Sequence, residues 1–340
     1  MSIAIVAVLV AVGGYAAWTW RHPLQPGEEI FVLKPGATLR GLAHQLQERG
    51  VLREPYTFTW VAYLTGRSRQ LKAGEYRFHA GITLGQLLDQ VVAGRVIEYP
   101  LVFVEGWTFR QMMHELDAAP KLAHTLSGLS PMEVMARLGY AGEHPEGRFF
   151  PDTYYYSMGH TDTQVLSRAH ERMEALLKVE WERRAPNLPL KNMNEALALA
   201  SIVEKETGRP EERAMIAAVF INRLRKGMKL QTDPTVIYGM GAAFDGNIRL
   251  KDLRRDTPYN TYTRSGLPPT PIAMPGRDAI TATLHPADTP ALYFVSRGNG
   301  THVFSATLAE HNAAVSKYQL GGRPFPPPAK RNNAVRAPSK

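Results

Sequence analysis

The chain has 340 residues, of which 44% are hydrophobic and 21% are charged, and it contains no cysteine. This is the composition of a globular protein of about two domains, and the lack of cysteine excludes disulfide scaffolds, thiol nucleophiles and Cys-ligated metal sites. The formal net charge is +9, but residues 323–340 hold five basic side chains and no acidic one, so the rest of the chain is only mildly basic and no nucleic-acid partner is expected.

The first predicted element is a membrane-spanning helix. Residues 2–20 contain no charged side chain, and a helix of that length spans about 28 Å, close to the roughly 30 Å of a bilayer core. Trp18 and Trp20 lie at the C-terminal end of this stretch, where aromatic residues of a membrane interface are common, and Arg21 is the next residue. We predict a single-pass anchor over residues 1–21, with a cleaved signal peptide as the alternative. No Lys or Arg precedes the apolar run, so charge bias does not predict its orientation.

A short linker over residues 22–28 leads to the first of three similar segments. Each segment reads as a short strand, a glycine-containing turn with a threonine, and an amphipathic helix, because threonine caps helices well. The three threonines are Thr38, Thr83 and Thr108. The first segment is similar to LysM domains, which bind glycans that contain N-acetylglucosamine. We therefore predict a small LysM-like α/β module over residues 29–97.

Residues 98–322 are predicted to form a mixed α+β domain. Its most regular part is a strongly apolar helix over residues 196–207, preceded by Asn192 and Glu195 at the spacing of a capping box. Further elements are expected as follows: a charged helix over residues 167–184, a helix from Pro210 to Gly227, a short helix capped by Asp233, a long irregular loop over residues 257–276, a β-hairpin over residues 292–304 and a helix over residues 308–318. Residues 323–340 are predicted to be a disordered basic, proline-rich tail.

Several common catalytic motifs are missing from the sequence. It has no Walker loop, no dinucleotide fingerprint, no His-x-x-x-His pair and no Gly-x-Ser-x-Gly elbow. We therefore predict neither a metal nor a cofactor.

Two glutamates on the apolar helix are candidates for acid–base chemistry. The positions three, four and seven residues before Glu204 and Glu206 share a helix face with each glutamate and are mostly apolar. Both glutamates therefore lie on partly apolar faces of the helix. They lie about 200° apart around the helix and cannot act on one bond together. Burial would raise the pKa of either group and suit it to act as a general acid. The alternative is a structural glutamate paired with Arg213 or Arg223, and periodicity does not choose between the two glutamates.

Five longer motifs lie on and around this helix. They are ASIVEKET (residues 200–207), VFINRL with GMKLQTDPTVIYG (residues 219–239), EG with FPDTY (residues 146–154), TPYNTY (residues 257–262) and GLPPTPI (residues 266–272). In their order along the chain, across residues 30–320, the motifs closely resemble the endolytic murein transglycosylases of the MltG (YceG-like) family. The resemblance implies an α+β fold with a single N-terminal transmembrane helix, a small LysM-like module and a mixed α+β catalytic domain.

The same resemblance implies a function. Members of the family are membrane-anchored lytic transglycosylases that cleave the bond between N-acetylmuramic acid and N-acetylglucosamine within peptidoglycan strands, leave 1,6-anhydro ends and act on the nascent wall, where the cut can end glycan elongation. Glu204 is the first glutamate of the VEKE run and matches the family's catalytic residue. Gln231, Asn260 and Tyr262 are candidates for substrate binding by motif membership and chemical type. Glu146 is either a substrate contact or a residue that holds a loop.

The expected partners are peptidoglycan strands and the membrane, with no nucleic acid. The family's association with wall synthases suggests a penicillin-binding protein as a further partner. The resemblance places the chain in the inner (cytoplasmic) membrane, with the catalytic domain on the periplasmic side. Two alternatives stay open: a hydrolytic muramidase that uses water, and a non-enzymatic glycan-binding scaffold.

Overall fold

The computed structural model describes residues 2–27 and 29–323. The predicted tail therefore lies outside the described residues, apart from Arg323. The helices are α1 (Ser2–Arg21), α2 (Leu39–Glu48), α3 (Tyr56–Leu64), α4 (Leu84–Ala93), α5 (Phe109–Ala118), α6 (Pro131–Leu138), α7 (Asp162–Glu182), α8 (Met193–Glu206), α9 (Pro210–Arg225), α10 (Asp233–Met240), α11 (Leu250–Arg254), α12 (Arg277–Leu284) and α13 (Leu308–Tyr318). The strands are β1 (Ile30–Leu33), β2 (Gly74–Arg77), β3 (Tyr99–Val102), β4 (Thr153–Tyr156), β5 (Tyr293–Ser296) and β6 (His302–Ser305).

These elements form a mixed α+β fold, as predicted. The strands pair as three separate antiparallel two-stranded sheets, β1 with β2, β3 with β4 and β5 with β6. The chain divides into two compact units. Over the described residues, the first comprises residues 2–27, 29–102, 115–128 and 153–165, and the second comprises residues 103–114, 129–152 and 166–323. The predicted division into a module over residues 29–97 and a domain over residues 98–322 stays a prediction.

The N-terminal helix α1 is apolar along its length. Its residues 3–21 are long and apolar enough to cross a membrane, and this stretch is not buried against the rest of the described chain. Length and composition alone support this statement, and they fit a membrane anchor and a signal sequence equally well.

The first unit contains two of the predicted strand–turn–helix segments. In the pairing of β1 with β2, Phe31 lies opposite Tyr76, and both rings are fully buried. Thr38 caps α2, because its hydroxyl accepts the N–H of Gly41 at 3.2 Å. Thr83 caps α4 in a reciprocal capping box with Gln86. Thus the threonine turns confirm the predicted start of both helices.

Helix α8 runs through the core of the second unit. Its residues 196–203 are buried, and it packs against α9 and α12. Asn192 caps the helix by accepting the N–H of Glu195 at 3.0 Å, as the sequence predicts. Small alanines on α8 allow these neighbouring helices to approach closely, while its leucine and isoleucine side chains fill the space between them.

Helices α7 and α12 differ from the sequence prediction. Helix α7 begins at Asp162, five positions before the predicted start at Ser167, because Thr161 and Gln164 make reciprocal cap hydrogen bonds there. Helix α12 directly follows the irregular loop and was not predicted. It is short, and its packing against α8 rather than its own pattern stabilises it.

Candidate active site

Glu204 lies in the last turn of α8, where the helix leaves the core. Its side chain is 7% exposed, and its Oε2 accepts the N–H of Gly276 at 3.0 Å. Gly276 directly precedes α12, so the carboxyl group lies near the positive end of that helix. Burial raises the pKa of Glu204, and this effect outweighs the opposing hydrogen bond from Gly276. A raised pKa suits a carboxyl group to act as a general acid.

The guanidinium of Arg213, on α9, is one of the cations near Glu204, and Lys205 is another. Arg213 Nη2 lies 4.0 Å from Glu204 Oε1, beyond hydrogen-bonding distance. Its Nη1 donates instead to Asp278 Oδ2 at 3.1 Å. Among the described residues, the buried Nε of Arg213 has no hydrogen-bond partner. The pairing with Arg213 that the sequence left open for Glu204 is therefore present as an ion pair at 4.0 Å, without a hydrogen bond.

A second carboxylate, Glu105, lies beside Glu204 and was not among the predicted site residues. The turn that carries it is fixed by two backbone bonds: Gly106 N–H donates to Met274 O at 2.8 Å, and Met274 N–H donates to Trp107 O at 2.7 Å. A Cβ atom placed on Gly276 would lie 1.9 Å from Glu105 Oε1, so both carboxyl groups contact this glycine. In the sequence this stretch resembles another capped turn, which gives no indication of a site.

Glu206 faces a different part of the second unit, as the helical geometry predicts. One of its oxygens accepts the hydroxyl of Thr232. Burial raises its pKa, the Thr232 hydroxyl opposes that rise, and the neighbouring Asp233 adds to it. Glu206 lines a cavity of about 990 Å³, whose lining residues do not include Glu204. The cavity wall also carries aromatic and imidazole side chains, namely Tyr293, Phe294, His302 and His311.

Two predicted substrate-binding residues line this cavity. Tyr262 Oη donates to Asp233 Oδ1 at 2.5 Å. Gln231 is exposed and has a φ of +51°, a left-handed backbone conformation that residues other than glycine seldom adopt. Its N–H donates to Thr261 O at 3.2 Å, which holds the strained residue in place. Asp233 is the first residue of α10, whereas the predicted cap position belongs to Thr232.

Asn260, also predicted to bind substrate, is buried in the irregular loop. Its Nδ2 donates to the carbonyl oxygens of Asp252, Leu253 and Arg255 at 3.3, 3.1 and 2.7 Å. Its Oδ1 accepts the N–H of Tyr262 at 2.8 Å. The amide therefore holds the loop that carries Tyr262, and direct contact with substrate stays a prediction.

Glu146 is 3% exposed and connects two helices. Its Oε1 accepts the N–H of Phe109, the first residue of α5, at 2.9 Å, and its Oε2 accepts the hydroxyl of Tyr238, on α10, at 2.9 Å. Burial raises the pKa of Glu146 to about 7, against the lowering effect of these two bonds. These contacts favour the loop-holding alternative over direct substrate contact.

The described residues were compared with the side-chain clusters that bind metal ions. Across residues 2–27 and 29–323, no group of three or more His, Asp or Glu side chains is placed to hold a metal ion.

Comparisons with known proteins agree on one family. The profile of the YceG-like family matches residues 31–317. A Bacillus subtilis (strain 168) protein named endolytic murein transglycosylase is 30% identical over 300 residues, which cover 83% of this chain and 82% of that protein. A Streptococcus pneumoniae (strain ATCC BAA-255 / R6) protein of the same name is 26% identical over 365 residues. That match covers 94% of this chain but only 64% of the streptococcal protein, so the chain spans less than two thirds of that relative.

A solved structure supports the same relationship. The crystal structure of a yceG-like protein from Listeria monocytogenes has a TM-score of 0.54 and 29% identity to this chain, with 85% of this chain and 100% of that chain covered.

Proposed function

Because this chain belongs to the YceG-like family, we propose that it is a lytic transglycosylase that cuts peptidoglycan strands from within. The Bacillus and Streptococcus relatives named endolytic murein transglycosylase support this activity, since murein is peptidoglycan. The observation that carries the proposal is the state of Glu204. Its carboxyl group is nearly buried, has a raised pKa and is not hydrogen-bonded to a cation.

Glu204 serves in turn as acid and as base. Its protonated carboxyl group gives its proton to the glycosidic oxygen between N-acetylmuramic acid and N-acetylglucosamine. The C1–O bond breaks, its electron pair stays on the departing oxygen, and positive charge develops on the muramoyl ring. The C6 hydroxyl oxygen of the same ring then bonds to C1, and its proton passes to the Glu204 carboxylate. The products are a 1,6-anhydro end and a free 4-hydroxyl, with no water consumed.

The intramolecular nucleophile explains why one carboxyl group is enough. Glycosidases that use water need one carboxyl group as acid and a second as base or nucleophile. Here the C6 hydroxyl is already attached to the reacting sugar, so proximity replaces activation of an external water. Glu206 cannot provide the second group at this bond, because it lies on another side of α8 and contacts Thr232.

The cavity beside Glu206 supplies polar and aromatic groups that suit a sugar chain. Tyr262 and Gln231 line this cavity and offer polar groups that suit hydroxyl and N-acetyl groups, and the aromatic wall suits stacking on sugar faces. The LysM-like module over residues 29–97 adds a second glycan-binding element. Its support is the motif similarity and the two capped strand–turn–helix segments.

The proposed place of action rests on helix α1 together with the family resemblance, which supplies the orientation. The helix anchors the protein in the cytoplasmic membrane, with the enzymatic part on the periplasmic side beside newly made strands. Its length and apolar surface support the anchor. At this place a penicillin-binding protein is the expected partner, because cutting nascent strands sets their length.

Purified enzyme and intact peptidoglycan sacculi test the proposal. Mass spectrometry should find 1,6-anhydro ends after digestion with the wild type, and Glu204→Gln should remove them, because an amide cannot donate the proton. Glu211→Gln is the control, since Glu211 is an exposed residue on α9 that pairs with Arg209. Reducing ends would instead identify a hydrolytic muramidase. Binding without cleavage would identify a scaffold.

A further inference from the structure

The turn at residues 105–107, which we call the Glu105 turn, lies directly on the end of α8. A Cβ atom placed on Gly106 would lie 3.7 Å from Glu204 Cγ, and Lys205 Nζ donates to Gly106 O at 3.1 Å. The two backbone bonds to Met274 hold the turn in this position. The Glu105 side chain is therefore brought to Glu204 by a fixed backbone and not by a flexible surface loop.

Gly276 lets the two carboxyl groups approach from its two sides. Its N–H donates to Glu204 Oε2, while the place of a Cβ atom is occupied by Glu105 Oε1. Its φ of −75° is open to any residue, so backbone conformation does not require glycine here. A Cβ atom at this position would meet the Glu105 carboxylate, which would have to move away.

The charges around Glu204 act in opposite directions. Glu105 is negative and favours the protonated form of Glu204, whereas Arg213 and Lys205 are positive and favour the ionised form. Asp278 faces the site from α12, and its bond to Arg213 offsets part of that residue's positive charge. Glu105 is exposed, so its effect is screened by solvent and salt.

We propose that Glu105 is a positioning residue of the active site, whose carboxylate faces Glu204 across Gly276 and holds the catalytic proton on Glu204. This inference rests on the proposed function, because it assigns Glu204 as the acid. Glu105 acts through Glu204 and takes no part in bond making. The same negative charge aids both halves of the reaction: it keeps Glu204 protonated before cleavage, and afterwards it makes the Glu204 carboxylate a stronger base toward the C6 hydroxyl.

The pH dependence of kcat/KM tests this role. Activity should fall at high pH as Glu204 loses its proton, and Glu105→Gln should move this descending limb to lower pH by about half a unit at low salt. One unit above the wild-type midpoint, activity should then be about threefold lower than in the wild type. In about 1 M salt the difference should shrink, because salt screens the exposed Glu105 carboxylate.

Three further variants separate this role from a merely structural one. Gly276→Ala should displace the Glu105 carboxylate and shift the limb in the same direction, and its combination with Glu105→Gln should add little, since both changes remove one interaction. Glu105→Asp keeps the charge and should stay near the wild-type profile. Glu211→Gln removes an equal charge from an exposed position on α9 and should leave the profile unchanged.

The outcomes distinguish this inference from the proposed function. An unchanged descending limb in Glu105→Gln, with Glu204→Gln inactive, overturns the role of Glu105 and leaves the enzyme assignment intact. Substantial cleavage by Glu204→Gln, or a wild type that leaves no anhydro ends, overturns the proposed function itself. A fall in activity that is equal at every pH and every salt concentration also contradicts the inference, because it indicates a structural effect.

Discussion

Glu204 and Glu206 are separated by one residue on α8, yet they lie in two different environments. Glu204 accepts the N–H of Gly276 beside the start of α12, whereas Glu206 accepts the hydroxyl of Thr232 and lines the cavity of about 990 Å³. The exit of α8 from the core therefore places one carboxyl group beside a second carboxylate and the other in a cavity with polar and aromatic walls. In the proposed function, the first does chemistry and the second lines the cavity that holds the glycan.

The bond between Tyr262 and Asp233 should support substrate binding more than catalysis. We expect Tyr262→Phe to raise KM about three- to tenfold and to leave kcat within about twofold, because it removes one hydrogen-bonding group from the cavity wall. Steady-state kinetics on defined glycan strands measure both constants. Asp233→Asn should behave similarly, and the two changes together should be less than additive. A fall in kcat with constant KM would contradict this placement.

Glu146 should make folding stability depend on pH. Its pKa rises from 4.5 to about 7 on folding, so its favourable contribution is complete below about pH 4.5 and is lost as the pH rises through about 7. The difference amounts to about 3 kcal/mol across that window. Denaturant unfolding at about pH 5 and about pH 8 measures it.

Glu146→Gln provides the comparison, because an amide does not titrate. The pH-dependent difference between the wild type and this variant should have the sign given above: raising the pH should destabilise the wild type more than the variant. Equal pH slopes in the two proteins would show that Glu146 is not titrating in the folded state.

Asn260 should contribute strongly to stability through its loop contacts. We expect Asn260→Ala to lower the free energy of unfolding by about 2–3 kcal/mol, because it removes the buried amide that donates to three part-buried carbonyl groups of the loop. Asn247→Ala, at an exposed loop position, should cost less than about 0.5 kcal/mol. Equal, small losses in denaturant unfolding would mean that the loop is held by other contacts.

Asp278 should influence Glu204 through Arg213. With Asp278→Asn, the guanidinium loses its carboxylate partner and is free to approach Glu204 Oε1, now 4.0 Å away. The pKa of Glu204 should fall, and the descending limb of the activity profile should move to lower pH, with a loss of a few-fold above its midpoint. Asp245→Asn, which breaks a surface pair with Arg249, is the control and should leave the profile in place. A limb that moves to higher pH would contradict this account.

The predictions from sequence succeeded where local patterns decide the structure. Thr38, Thr83 and Asn192 cap the helices that their spacing indicated, and the charge-free start of the chain forms one long helix. These features depend on contacts within a few residues, so a single sequence contains the information. The same reasoning showed that the two glutamates of α8 face different directions.

The prediction was incomplete where contacts join distant parts of the chain. The sequence did not predict helix α12. Gly276, the residue directly before this helix, donates the hydrogen bond to Glu204. Asn260 was grouped with Tyr262 by motif, and Glu146 was left open between substrate contact and loop holding. Both are buried and bonded to the protein's own backbone or side chains. Motif membership indicates residues important for structure or function. It does not distinguish those that hold a loop from those that line a cavity.

By itself the sequence determined the apolar first helix, the capped elements, the buried helix with two carboxyl groups and the family to which the motifs point. Only the tertiary structure decided that Glu105 meets Glu204 at Gly276, that Arg213 is engaged by Asp278, and that Gln231 and Tyr262 share a cavity with Glu206. The physical reason is the distance along the chain between the residues in contact. Helix periodicity and capping are set by neighbours along the chain, whereas the surroundings of a carboxyl group are set by the packing of segments far apart in sequence, which follow no repeating pattern.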